Sequence, residues 1–166
     1  MVGRTFSFPN PVNELAARTV AGGVLVIAVT VLLTGWQWLL PVLALGFLLR
    51  VLSGPRLSPL GLLATKVVTP RLGAPRLVPG PPKRFAQAVG LLFTTCAAVL
   101  SLGFDERLAA AGLVAVLVAF AFLESVVGFC AGCWVFGHLM RLGVIPQETC
   151  EACNDISRRR EPVTAA

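Results

Sequence analysis

Residues 108–142 read LAAAGLVAVLVAFAFLESVVGFCAGCWVFGHLMRL. From Leu108 to Val127 the run is apolar, and Glu124 is its only charge. One straight helix over the whole segment would be roughly 50 Å long, whereas the hydrocarbon core of a bilayer is about 30 Å thick. The run must therefore break or project beyond the membrane. Gly128 is the natural break, and a second short helix can open behind it at Cys130. A full additional span after the break would carry Arg158, Arg159 and Arg160 to the face opposite the other basic loop. The bias of lysine and arginine toward the cytoplasmic side argues against that arrangement. The segment thus reads as the last of four spans followed by a short broken helix.

Working outward, three more apolar runs precede it. Asn10-Pro11 offers a helix cap and a first-turn proline, and Glu14 and Arg18 keep the following turns in water or headgroups. Span one then runs from Thr19 to Leu33. Trp36 and Trp38 mark an interfacial turn. The second span runs from about Gln37 to Leu52, with Pro41 in its first turn. The third runs from Phe85 to Leu102, with Cys96 near its centre, where a lone cysteine reads as packing. Ala109, Ala110, Ala111 and Gly112 offer span four a small-residue contact face. Between spans two and three, residues 53–84 carry seven prolines and six basic residues with no acidic one. Ser58-Pro59 opens a helix signature there that suits a membrane surface, and Pro-Gly-Pro-Pro at 79–82 reads as an extended strap.

Composition agrees. Across 166 residues only 13% are charged and mean hydropathy is +0.82, where soluble domains carry about 25% charged residues. The expected fold is all-α: an integral membrane four-helix bundle, with a surface helix in the long cytoplasmic loop. Residues 1–145 form the bundle and 146–166 a polar cytoplasmic tail. The net charge of +6 sits in loops, which places the chain in the cell (inner) membrane with both termini cytoplasmic. Nucleic-acid binding is excluded, since no basic face is interleaved with aromatics.

The chemistry concentrates in thiols. Four of the five cysteines form two Cys-x-x-Cys pairs, Cys130/Cys133 and Cys150/Cys153. On a helix, residues three apart lie about 60° apart around the axis, close enough to bridge. A pair that opens a helix gains free N–H groups that favour a thiolate on its first member. The bland alternative is packing: Gly128 and Gly132 also make a Gly-x-x-x-Gly spacing that lets helices approach closely. Three readings stay open. In the first, the pairs relay electrons or persulfide sulfur between themselves and a soluble partner. In the second, all four cysteines hold zinc, at a spacing compatible with a metal site. In the third, they are structural. Apart from that zinc alternative no cofactor is implied. His138 lies on a different face from both Cys130 and Cys133 and reads as interfacial. Glu124, ionisable at membrane depth, needs a partner, and Arg50 at the end of span two is the expected one.

Three segments also resemble a known family: Arg84 to Gly90 (RFAQAVG), the basic strap before it, and Gly128 to Cys133 (GFCAGC). Over residues 8–142 they are similar to a family of small bacterial membrane proteins known only as a domain of unknown function. The resemblance implies sulfur chemistry, because members tend to be encoded near thioredoxin-like and rhodanese-like proteins and some are fused to thioredoxin-like domains. In outline the chain also looks like the four-helix thiol-redox membrane proteins of the vitamin K epoxide reductase and DoxX kind. The expected partners are therefore the lipid bilayer and a soluble thioredoxin-like or rhodanese-like protein; a homo-oligomer is compatible with the sequence.

Overall fold

The computed structural model describes residues 8–146 and Thr149. Four helical stretches are long and apolar enough to cross a membrane: Glu14–Thr34, Leu39–Leu72, Gly80–Gly103 and Arg107–Val127. The all-α bundle expected from the sequence is what forms.

The chain enters through β1 (Val12–Asn13) and continues directly into α1 (Glu14–Thr34). The cap of α1 is Asn13, whose Oδ1 accepts from the Leu15 N–H at 3.0 Å. Asn10, expected to serve there, instead accepts from the Gly80 N–H at 3.0 Å, 70 residues away. The helix starts at Glu14 rather than at Pro11, and Arg18 in its second turn is half-buried against the end of the fourth span. α2 (Leu39–Ser53) leads through a tight turn at Gly54–Arg56 into α3 (Pro59–Leu63). Ser58 caps α3 as its signature predicts. A π-helical turn, Ala64–Val68, carries the chain on into α4 (Thr69–Leu72). This arm docks along the start of α1, burying Ala64 against Ala16 and Val20.

β2 (Leu77–Val78) then pairs antiparallel with β1, Val12 opposite Val78. The strap is extended only up to Pro79. α5 (Gly80–Ala98) starts five residues before the expected Phe85, with prolines in its first turn, where a missing N–H costs nothing. A π turn over Val99–Gly103 ends that span. α6 (Arg107–Phe122) follows and ends in another π turn, Leu123–Val127; α7 (Ala131–Arg141) is the short helix beyond the break.

α2 packs on α5, α1 on α6, and α5 also touches α6 and α7. The core joins Val24, Ala28 and Val31 of α1 to Leu40, Leu43 and Phe47 of α2, and to Val114 and Leu117 of α6. On α1 the buried residues recur at Val20, Val24, Ala28 and Val31, the three- and four-residue spacing of one helix face. The opposite faces carry exposed Val26, Val42 and Leu92, which water would penalise and lipid would not. Cys96 is one of these outward residues, so the packing role expected for it is not what the bundle gives it. Of the small residues at the start of α6, Ala110 is buried while Gly112 faces outward.

Candidate thiol site at the break after the fourth span

The site begins with Gly128. Its φ of 79° is left-handed, a conformation glycine adopts without a Cβ penalty, and it terminates the π turn by donating its N–H to the Leu123 carbonyl. The last carbonyls of that turn are capped from another helix. The Arg18 guanidinium donates to the Val126 carbonyl at 2.9 Å and to the Ser125 carbonyl at 3.3 Å. No local sequence signal marks this cross-helix cap.

Beyond the break the chain stays extended at Cys130 and then turns into α7. Cys130 is the residue that caps this helix: its Sγ accepts the Cys133 N–H at 3.3 Å. A thiolate there meets the orphan N–H groups and the positive end of the helix dipole. The hydrogen bond from the Cys133 thiol holds the Cys130 thiol below its ordinary value. The Lys83 ammonium and the Cys133 N–H act in the same direction, while burial and the Glu124 carboxylate oppose them. The Cys133 thiol is pushed up by that shared hydrogen bond, by its own burial and by the charge on Cys130. The two sulfurs of the pair are thus unequal: the first is shifted toward the thiolate and the second toward keeping its proton.

Gly132 sets how close this helix comes to the bundle. A Cβ on it would lie 2.7 Å from the Ala86 Cα and 2.6 Å from the Ala86 Cβ. Of the Gly-x-x-x-Gly pair only Gly132 makes a close helix contact, α7 on α5; Gly128 lies at the break, against the Arg18 guanidinium. Phe136 and Phe85 pack across the same seam at 5.7 Å.

The ion pair differs from the expectation. Glu124 pairs with Lys83, Nζ to Oε1 at 2.7 Å, with the two side chains only 10% and 14% exposed. Arg50 was the expected partner. Instead its Nε donates to Gln87 Oε1 at 2.7 Å, its Nη1 donates to Ser58 Oγ at 3.1 Å, and its guanidinium lies 4.5 Å over the Phe47 ring. The reason is the early start of α5: this helix packs on both α2 and α6, so Lys83 in its first turns meets the carboxylate. By sequence alone Lys83 falls in the basic loop. Reading Pro81 and Pro82 as first-turn helix residues would have found it.

Cys130, Glu124 and Gln87 border an apolar cavity of about 180 Å³ whose walls include Phe85, Phe93 and Phe120. His138 lies against Trp134, Nδ1 3.1 Å from its carbonyl oxygen, with ring centroids 4.0 Å apart; no hydrogen bond joins it to either thiol among the described residues. No three metal-ligand side chains gather among the described residues. Cys150 and Cys153 lie outside those residues, so the four-cysteine zinc set and the two-pair relay fall there too.

These features define a class: a helical bundle with four helices long and apolar enough to cross a membrane, and a helix-capping Cys-x-x-Cys beside a buried ion pair. The chain belongs to the family described as Domain of unknown function (DUF4395), whose model matches residues 12–141. No curated protein and no solved structure matches the chain.

Proposed function

We propose that the protein carries out thiol–disulfide or persulfide exchange at the membrane, with Cys130 as nucleophile and Cys133 as resolving cysteine. The observation that supports this most is the sulfur cap: Cys130 Sγ accepts the Cys133 N–H at the opening of α7. A purely packing cysteine has no need to be the cap, whereas a nucleophile gains thiolate character there.

Cys130 thiolate attacks one sulfur of a disulfide on a soluble thioredoxin-like protein. The S–S bond of the partner breaks, its leaving sulfur departs as thiolate with the electron pair, and a Cys130–partner bond forms. Cys133 gives up its proton and attacks Cys130 Sγ, expelling the second partner thiolate. The chain is left with a Cys130–Cys133 disulfide, and the partner has gained two electrons; of its two thiolates, one takes the proton given up by Cys133 and the other a proton from water. Attack on the outer sulfur of a partner persulfide instead leaves the persulfide on Cys130 and releases the partner's thiolate. Cys150 and Cys153, as a dithiol, are the pair proposed to exchange with this disulfide, regenerating the Cys130/Cys133 dithiol and themselves becoming the disulfide. The membrane is the cell membrane, with both termini and the basic 53–84 loop on the cytoplasmic side, where such partners are soluble. A reporter fused at residue 160 is expected to be active only in the cytoplasm.

Alkylation rate against pH for each single-cysteine variant tests the reading. Cys130 is expected to react with a midpoint below the ordinary cysteine value of about 8.5, and Cys130→Ser to abolish exchange while Cys96→Ser does not. A Cys130 that titrates at or above that value, or that no reagent reaches in the native protein, would leave the pair as packing.

A further inference from the structure

A second cavity, of about 290 Å³, lies where the N-terminal lead meets the loop, and Arg50, Lys83 and Gln87 line it together with Asn13 and Pro9. Apart from Thr65 its other walls are apolar, among them Ala17 and Leu77. Arg50 is 3% exposed. Two of its three nitrogens are satisfied by Gln87 and Ser58, both neutral. Its Nη2 has no hydrogen-bond partner, the only such buried side-chain atom among the described residues. The nearby carboxylate is taken, since Glu124 forms its ion pair with Lys83. The centre therefore holds two buried cations and one anion. Buried charges are ordinarily compensated, and a buried donor left unmade is costly.

We propose that this cavity binds a singly charged oxyanion, which supplies the counter-charge Arg50 lacks. A planar guanidinium is the side chain best matched to phosphate or carboxylate oxygens. Lys83 on the same wall is already matched by Glu124, so one net positive charge remains for the ligand to meet, and the apolar walls accept an uncharged remainder of the ligand. The same chemistry is offered by the phosphodiester of an anionic lipid headgroup and by free inorganic phosphate. The site shares Gln87 with the cavity beside Cys130, and its Lys83 also acts on that thiol, but the anion site stands whether or not Cys130 is reactive.

The test uses the full chain in nanodiscs, in two arms. In the first, inorganic phosphate is titrated into protein held in phosphatidylcholine, and the thermal unfolding midpoint is followed. In the second, phosphatidylglycerol is added to the same discs, and retained lipid is counted by native mass spectrometry. Saturable stabilisation by phosphate identifies a free oxyanion, and one retained phosphatidylglycerol per chain identifies a headgroup. Either supports the proposal if Arg50→Gln weakens it at least tenfold. Ala17→Leu narrows the cavity with Arg50 intact and is expected to weaken binding likewise, which decides the matter if Arg50→Gln does not fold. No binding in either arm, or binding that both variants leave unchanged, overturns it.

Discussion

The two ends of the bundle carry similar ingredients put to different use. At the turn end, Arg107 and Asp105 make an ion pair of 2.9 Å with both side chains more than 70% exposed; Trp36 and Trp38 are exposed nearby on the same kind of turn. At the loop end, Lys83 and Glu124 make one of 2.7 Å that is nearly buried. Distance does not separate the two pairs; the medium does. A pair in water contributes little, because solvent already stabilises each charge. A sequestered pair commits both partners, since removing one strands the other. The cysteines repeat the contrast. Cys96 faces outward from the middle of a span, whereas Cys130 sits at a helix start among charges.

The largest expected effect comes from the seam that holds the loop end together. Gly132→Leu places a branched side chain where the Ala86 backbone already lies. It should undock α7, cost about 3 kcal/mol or more and raise the Cys130 alkylation midpoint toward the ordinary cysteine value. Gly112→Leu, at a glycine with nothing within 4 Å, should leave both unchanged. Thermal unfolding and alkylation rate read the difference.

Next comes the ion pair itself. Lys83→Met is expected to cost about 3 kcal/mol, because it leaves the Glu124 carboxylate without its partner. Asp105→Asn at the turn end should cost under about 1 kcal/mol. Equal losses in denaturant unfolding would break the contrast between the ends.

A smaller effect sharpens it. Lys83 lowers the Cys130 thiol and Glu124 raises it. The midpoint of Cys130 alkylation should therefore move up in Lys83→Met and down in Glu124→Gln. Because folding depresses this acid, its thiolate contributes stability above the unfolded-state value near 8.5, and that contribution fades as pH falls through the folded midpoint. A pH series of unfolding midpoints for wild type and Cys130→Ser should diverge on the alkaline side.

Smallest is the cap that crosses between helices. Arg18→Gln keeps a donor but loses the charge that meets the Ser125 and Val126 carbonyls. A cost of about 1 kcal/mol is expected, with faster hydrogen exchange confined to residues near the break.

Much of this was legible in the chain alone. Four apolar runs, each too long and too uncharged for a soluble core, determined four helices able to cross a bilayer. Gly128, inside a run longer than a membrane is thick, determined the break, and Cys130 behind it determined which sulfur would open the next helix. These are local or one-dimensional properties, set by length, hydropathy and backbone freedom. Only the tertiary structure decided who meets whom. Glu124 was expected to find Arg50, but α5 lies against both α2 and α6, and its prolines start it early enough to bring Lys83 to the carboxylate. Asn10 caps a helix 70 residues away rather than the one it precedes. Arg18 closes the end of another span, and Cys96 turns outward. Pairing of this kind depends on the rotation of each helix about its axis and on which helix lies between two others. Hydropathy leaves both undetermined, because every face of these runs is apolar enough to be buried.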